Sequence, residues 1–118
     1  MFTITKEFAF SASHQLDGLP ATHQCARLHG HNYVVELELA SRVLDEVGFV
    51  QDYGELSGFK QWIDDHLDHR HLNDAFDFNP TAELMAQELF VIAMGLGYDK
   101  VVAVRVRETP KTCSEYRP

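Results

Sequence analysis

The sequence is poor in cysteine and has no long apolar run. It contains only two cysteines among 118 residues. That is too few for a disulfide framework, so we treat Cys25 and Cys113 as separate thiols. No apolar run approaches the length of a membrane span. The first ten residues alternate in polarity and show no basic segment followed by an apolar block, so we expect no export signal and a cytoplasmic protein.

Basic residues are also scarce. Ten lysines and arginines stand against 18 acidic residues, and the net charge is -8. No basic stripe is present to displace the counterions of a nucleic acid, which excludes general nucleic-acid binding. A few basic side chains in one pocket would still suffice to bind a small anionic substrate. Repeats, linkers and a glycine-rich dinucleotide loop are absent, and we expect residues 1–118 to form one domain.

Alternating polarity is the main pattern that is present. It predicts a first strand over residues 2–14 and a second strand over residues 29–42. Side chains at every second position of a strand share a face. His14 therefore lies in phase with the apolar side of the first strand, and His29 and His31 lie in phase with the apolar side of the second. We expect all three imidazoles to face the core, each at a strand end.

The rest of the chain predicts two helices and two further strands. They are a helix over residues 53–67, a second helix that begins near Thr81, a strand over residues 100–109 and a short edge strand over residues 112–117. Thr81 is the expected N-cap, and the acidic Glu83 suits the positive end of the helix dipole. In the third strand Val102, Val104 and Val106 are expected on one side. This order predicts an α+β domain, with an antiparallel four-stranded sheet and two helices on one face.

The three histidines are the strongest indication of chemistry. Three neutral imidazoles with no fourth protein ligand are typical of a catalytic zinc site with an open position. Cys25 lies four residues before His29, in a loop, where a thiolate near a metal can act as base or nucleophile. The alternatives are polar loop histidines without a metal and an inert buried thiol.

Three further ionisable residues fit the same site. Glu108 continues the valine side of the third strand and lies in phase with the core, where a carboxylate needs a cationic or multiply donating ligand. Its alternative is a solvated strand end paired with Arg105 or Lys111. In Asp68-His69 the carboxylate is suited to orient the imidazole as a proton relay. The alternative is a solvated helix terminus with cationic residues, and His71 competes with His69 for the relay.

Taken together, these motifs resemble the 6-pyruvoyltetrahydropterin synthase superfamily, most closely its 6-carboxytetrahydropterin synthase branch. The resemblance covers essentially the whole chain. The matching segments are Ala12-Ser-His14, Cys25-Ala-Arg-Leu-His-Gly-His31, Asp52-Tyr53, Leu67-Asp-His-Arg-His-Leu-Asn-Asp74, Asn79-Pro-Thr-Ala-Glu83 and Arg107-Glu-Thr109. The spacing of three residues between Cys25 and His29 resembles that of the carboxy-forming enzymes. The pyruvoyl-forming enzymes tend to carry a longer insertion at this place. A branch that acts on dihydroneopterin carries a glutamate near this position instead.

The resemblance implies a role for each candidate residue. His14, His29 and His31 would hold Zn²⁺. Cys25 would be the catalytic thiol, working with Asp68 and His69. Substrate binding would fall to Glu108, which anchors the pterin, and to Arg27, Thr81, Glu83 and Lys111. Arg27 and Lys111, with Arg117, are the candidates for contact with a triphosphate group.

The implied reaction is the conversion of 7,8-dihydroneopterin triphosphate to 6-carboxytetrahydropterin, acetaldehyde and triphosphate, in the pathway to queuosine. Family members have the tunnelling fold and join their sheets into a barrel in a homohexamer, with active sites between subunits. Open sheet edges independently favour an oligomer. Two alternatives remain open: a 6-pyruvoyl synthase or an aldolase- or epimerase-type enzyme with the same site, and a non-catalytic zinc- or pterin-binding module.

Overall fold

Two long strands form the centre of the protein. The computed structural model describes residues 1–118, with strand β1 over Phe2–His14 and strand β2 over His29–Ser41. Their antiparallel pairing is continuous, from Phe2 opposite Ser41 to His14 opposite His29. The alternation of polar and apolar residues predicts both strands because each buries one side and exposes the other. The second strand ends one residue earlier than predicted.

The two predicted helices and two predicted strands follow in the expected order, and between the helices lie a two-residue strand and a one-turn helix that were not predicted. The elements are α1 over Ser57–His66, β3 over Arg70–His71, α2 over Leu72–Ala75, α3 over Ala82–Gly95, β4 over Val101–Arg107 and β5 over Ser114–Tyr116. The predicted first helix begins as a 3₁₀ turn over Tyr53–Leu56, in which the Asp52 side chain accepts from the Gly54 amide. Thr81 is the N-cap of α3, as predicted, since its side chain accepts from the Leu84 amide. None of the helices combines the length and apolar character that a membrane crossing requires.

The sheet has the strand order β3-β1-β2-β4-β5. The α+β class with an antiparallel core of four strands, β1, β2, β4 and β5, is confirmed. The fifth strand, β3, was not predicted. It is two residues long and pairs in parallel with Ala12 and Ser13 of β1, so it leaves no periodic signal in the sequence.

The prediction for Val102 was wrong. The register of β4 against β2 shifts where Glu38 is followed by Leu39, so that their partners are Ala103 and Val101 and Val102 is the extra residue of a bulge. A bulge reverses the side of the strand on which the following residues lie. Val101 is therefore buried, whereas Val102 is only half-buried.

The core lies between the sheet and the helices. One side of the sheet, called here the helix-covered face, presents Phe8, Tyr33 and Leu37 to α1 and α3, and a single cluster of 22 buried residues fills this layer. Phe8 meets Phe59 of α1 edge to face, with ring centroids 5.1 Å apart. The opposite side, called the open face, carries the alternate residues of the strands, including Glu36. His14 belongs to the helix-covered face and is fully buried.

Candidate metal centre

The pairing of β1 with β2 brings the three histidines together. His14 lies directly opposite His29, and His31 lies opposite Ala12, two residues along the same face. The Nε2 atoms of His14 and His29 are 2.9 Å apart. One ligand nitrogen from each of the three rings lies within 4.8 Å of the other two. The strand phase therefore produces a convergent set of three imidazoles, here called the histidine cluster.

Backbone carbonyls fix the orientation of two of these rings. His14 Nδ1 is 2.9 Å from the carbonyl oxygen of Pro80, and His29 Nδ1 is 2.7 Å from that of Arg27. Because a carbonyl only accepts hydrogen bonds, each Nδ1 carries the proton and each Nε2 presents its lone pair. This is the second-shell arrangement that orients metal-bound histidines. The Tyr33 hydroxyl also lies 3.2 Å from His14 Nδ1.

Burial favours the uncharged, metal-binding form of two of the three histidines, His14 and His31. Removal from water lowers the pKa of both His14 and His31 below the ordinary value of 6.5, because a buried imidazolium lacks solvation. His31 Nε2 is buried and has no hydrogen-bond partner. An uncharged imidazole nitrogen that has no hydrogen bond and lies close to the ligand nitrogens of His14 and His29 is suited to bind a metal ion. The three residues thus fit a metal ion as a set.

Glu108 follows β4 and lies beside the histidine cluster. Its Oε2 is 3.5 Å from His14 Nε2 and 3.2 Å from His31 Nε2, but it does not belong to the set of mutually close ligand atoms. The carboxylate therefore borders the ion position and is about one quarter exposed, accessible to a ligand. Neither alternative partner contacts it, since Arg105 pairs with other glutamates and Lys111 forms no ion pair.

Cys25 lies in a 3₁₀ turn over Gln24–Ala26 on the loop that leads into β2. The turn is capped by His23, whose Nδ1 accepts from the Cys25 amide at 3.0 Å. The thiol is free and partly exposed, and its sulfur is not among the convergent ligand atoms. The chain therefore offers three nitrogens to a metal and keeps a separate, accessible sulfur.

Asp68 and His69 lie at the other side of β1, attached to Ser11. The Ser11 amide donates to Asp68 Oδ1 at 3.0 Å, and the His69 amide donates to the Ser11 carbonyl at 2.6 Å. These bonds hold His69 in the left-handed region, with φ of 59°. Asp68 Oδ1 is 3.1 Å from His69 Nδ1. The Ser11 amide and, after it, the His69 imidazole lower the pKa of Asp68.

No hydrogen bond or ion pair joins Asp68 or His69 to the histidine cluster of the same chain. Ser11 points to the open face, whereas Ala12 and His14 lie in phase with the helix-covered face. The His69 side chain is 82% exposed. The structure thus leaves the predicted relay exposed and without a bond to the histidine cluster of the same chain, although His31 and His69 border the same surface cleft.

The remaining predicted residues differ in their surroundings. Thr81 Oγ1 is engaged as the helix cap, 3.2 Å from the Leu84 amide, and Glu83 lies exposed in the first turn of α3. Arg27 and Lys111 are exposed and form no ion pair. The sequence analysis assigned no role to Tyr33 or Pro80, although both contact His14. Tyr33 was detectable by its phase two residues after His31; a backbone carbonyl such as that of Pro80 has no sequence signal.

Comparison with known proteins agrees with this geometry. Residues 3–118 match the family described as 6-pyruvoyl tetrahydropterin synthase. The chain belongs to this family. A member from Caenorhabditis elegans, solved as a 6-pyruvoyl tetrahydropterin synthase, superimposes with a TM-score of 0.87 at 27% identity, over 99% of this chain and 95% of that one. The family assignment from sequence is confirmed.

Two bacterial relatives are more similar in sequence. The 6-carboxy-5,6,7,8-tetrahydropterin synthase of Synechocystis sp. is 34% identical over 98% of this chain and 93% of its own length. The protein of the same name from Bacillus subtilis is 32% identical over 99% of this chain and 86% of its own. The chain is therefore an enzyme of the 6-pyruvoyl tetrahydropterin synthase family, similar to members named for the carboxylated product.

Proposed function

We propose that this protein is a zinc-dependent lyase that converts 7,8-dihydroneopterin triphosphate to 6-carboxytetrahydropterin, acetaldehyde and triphosphate, as a step towards queuosine. The observation that carries the proposal is the separation of roles in the site. Three imidazole nitrogens converge on one position, while the Cys25 sulfur remains outside that set and accessible. A structural zinc site would use a fourth protein ligand, often a cysteine. The names of the bacterial relatives support the choice of product.

Each residue then has a defined task. When bound, zinc supplies Lewis-acid polarisation to the side-chain oxygens of the substrate. The Cys25 thiolate takes a proton from the substrate, and His69, oriented by Asp68, returns or relays one. Glu108 accepts the adjacent N–H groups of the pterin ring as a bidentate pair. The pKa of Asp68 is lowered, so this carboxylate stays ionised and retains the imidazole proton that faces it.

We also propose that the active enzyme is a homohexamer with its sites between subunits. Two observations support this. Residues 2–10 of β1 have no strand partner on the side away from β2, and β5 is paired on one side only, so the sheet has two open edges for another copy. The exposed position of His69 leaves it free to serve the histidine cluster of a neighbouring chain.

A product assay with matched variants tests the function. We expect the purified protein to release acetaldehyde and triphosphate from 7,8-dihydroneopterin triphosphate. Cys25→Ala should abolish this turnover yet retain zinc, whereas His29→Ala should lose the metal. Cys113→Ala, which removes the exposed second thiol, is the control and should behave as wild type.

Different results identify the alternatives. A 6-pyruvoyl product without acetaldehyde assigns the protein to the pyruvoyl-forming enzymes. Cleavage or epimerisation of dihydroneopterin itself assigns it to the aldolase- or epimerase-type enzymes. If Cys25→Ala loses zinc as fully as His29→Ala, the thiol is a ligand and the site is a non-catalytic metal module.

A further inference from the structure

A surface cleft lies on the open face of the sheet, on the side away from the helices. Its polar walls come from Ser11 and Ser13 of β1, His31 of the histidine cluster and Asn32 of β2, and the consecutive residues His69, Arg70 and His71. The cleft has a volume of about 470 Å³. Only one of its nine lining residues is hydrophobic. None of the assigned substrate-binding residues lies in it.

The charge of this cleft is opposite to that of the whole protein. The chain has 18 acidic residues and a net charge of -8, yet no carboxylate lines the cleft, whereas one guanidinium and three imidazoles, those of His31, His69 and His71, do. The nearest acid in sequence, Asp68, is bonded to the Ser11 amide and to His69. A cleft that contains one guanidinium and no carboxylate favours an anion on an acidic protein, because the surrounding negative charge repels anions elsewhere.

Arg70 has no partner within the chain. Its guanidinium forms neither an ion pair nor a hydrogen bond, in contrast to Arg105, Arg107 and Arg117, each of which lies within 4.0 Å of a glutamate. Arg70 also borders a neighbouring cleft that contains three carboxylates, those of Asp65, Asp74 and Glu88. None of them lies within ion-pair distance of it. The guanidinium therefore keeps its full set of donors for an external anion.

Neighbouring side chains are arranged as further donors. Asn32 Oδ1 accepts from Ser11 Oγ at 2.7 Å, which leaves both amide N–H groups free. Ser13 Oγ lies 3.0 Å from His71 Nδ1, which engages this nitrogen and leaves Nε2 without a hydrogen bond. The backbone of His69 is held in the left-handed region, with φ of 59°, a conformation that non-glycine residues adopt mainly where the surroundings impose it, and its Nδ1 lies 3.1 Å from Asp68 Oδ1.

We propose that this cleft binds an oligophosphate, and that in the active enzyme it holds the triphosphate chain of the substrate. A planar guanidinium matches phosphate oxygens through paired N–H donors, and a cleft with several separate donors suits a chain of phosphates better than a single one. This assignment rests on the proposed function, since His69 forms a wall of the cleft and acts there as proton relay. It places the leaving group beside the group that supplies a proton, and it assigns Arg70 in preference to Arg27 and Lys111.

Binding of inorganic triphosphate to the full-length protein tests the cleft without turnover. Calorimetry with this probe, in a buffer free of divalent cations, compares wild type with Arg70→Gln and with Arg42→Gln. Arg42 is exposed and unpaired, directly after β2, so it controls for the loss of one charge. We expect Arg70→Gln to weaken binding roughly tenfold or more, as loss of charge-assisted hydrogen bonds does. Arg42→Gln should change it less than about twofold.

Steady-state kinetics separates this proposal from the proposed function. Arg70→Gln should raise KM for 7,8-dihydroneopterin triphosphate while the affinity for the phosphate-free pterin stays unchanged. If wild type binds triphosphate through Arg70 but does not convert the pterin substrate, the assignment of the cleft is supported and the proposed lyase activity is refuted. If the enzyme is active and Arg70→Gln behaves as Arg42→Gln, or if only Arg27→Gln or Lys111→Gln raises KM, the cleft assignment is overturned.

Discussion

Two clusters of ionisable side chains lie on opposite faces of the same sheet. They differ in whether each group has a partner of opposite charge. On the open face Arg105 contacts Glu36, Glu38 and Glu115, and Arg117 contacts Glu38 and Glu115. We call these residues the arginine–glutamate network. On the helix-covered face the histidine cluster contains three bases and, beside them, the single carboxylate of Glu108.

The difference distinguishes a structural cluster from a functional one. In the arginine–glutamate network each charge has a partner of opposite sign, and Arg105 lowers the pKa of Glu38 through a hydrogen bond. This network is complete without a ligand. The groups of the histidine cluster are not paired in this way, because three imidazoles face one another and His31 Nε2 has no hydrogen bond. Buried polar atoms are rarely left unpaired, and here the unpaired nitrogen belongs to three mutually close imidazoles, which is the combination that fits a metal ion.

The largest expected effect is the loss of metal binding when a residue of the histidine cluster is replaced, and not when a residue of the arginine–glutamate network is replaced. We predict that His29→Ala lowers zinc affinity by more than the roughly 10- to 100-fold that loss of an outer-shell partner costs, because two imidazoles remain where three converged. Glu36→Gln, in the arginine–glutamate network, should retain zinc at the wild-type stoichiometry. Metal analysis after dialysis against a chelator measures both. Equal loss of zinc from the two variants would contradict the comparison.

How much of this arrangement the sequence predicts depends on the range of the interactions. His14, His29 and His31 were placed on one face because strand alternation is a local property with a period of two. The attachment of Asp68 and His69 to Ser11 was not predictable, since it joins residues 57 or more positions apart through backbone groups.

Local irregularities account for the other differences. The bulge at Val102 inserts one residue into the alternation, and alternation alone does not locate such an insertion. The strand β3 is too short to have a period. The contact of Pro80 with His14 uses a carbonyl that every residue possesses. Sequence therefore predicted which face carries the histidine cluster, and tertiary contacts determined how its rings are held.

The second prediction breaks the arginine–glutamate network. Arg105→Ala leaves three glutamates with fewer cations, two of them only 13% exposed. Removal of one partner from a buried pair costs about 3–5 kcal/mol, and partial exposure reduces this, so we expect a loss of about 2 kcal/mol in the free energy of unfolding. Urea denaturation measures it. Zinc stoichiometry should not change; a loss of zinc would show that the two faces are coupled.

Acid should weaken the same network. The pKa of Glu38 in the folded protein is lowered below its ordinary value of 4.5, first by the hydrogen bond from Arg105. A carboxyl group with a lowered pKa stabilises the fold above its unfolded pKa, and this contribution is lost as the pH falls towards the folded value. Stability should therefore decline below about pH 4.5, and less steeply in Glu38→Gln. Thermal unfolding between pH 3 and 6 tests this, and identical profiles would exclude the pair as a source of acid sensitivity.

The smallest expected effect concerns Thr81, next to Pro80. This residue caps a helix, which is a structural role, and it is also a candidate for substrate binding, which is a functional one. As the N-cap of α3 it accepts from the Leu84 amide, and a cap lost to alanine costs about 1 kcal/mol. Thr81→Ala should reduce the free energy of unfolding by that amount, and Thr81→Ser should restore it. If Thr81 acts only as the cap, KM for the pterin triphosphate stays at the wild-type value in both variants. An increase in KM for Thr81→Ala that Thr81→Ser rescues would instead assign the hydroxyl to substrate binding, because a change confined to helix stability leaves saturation by substrate unaltered.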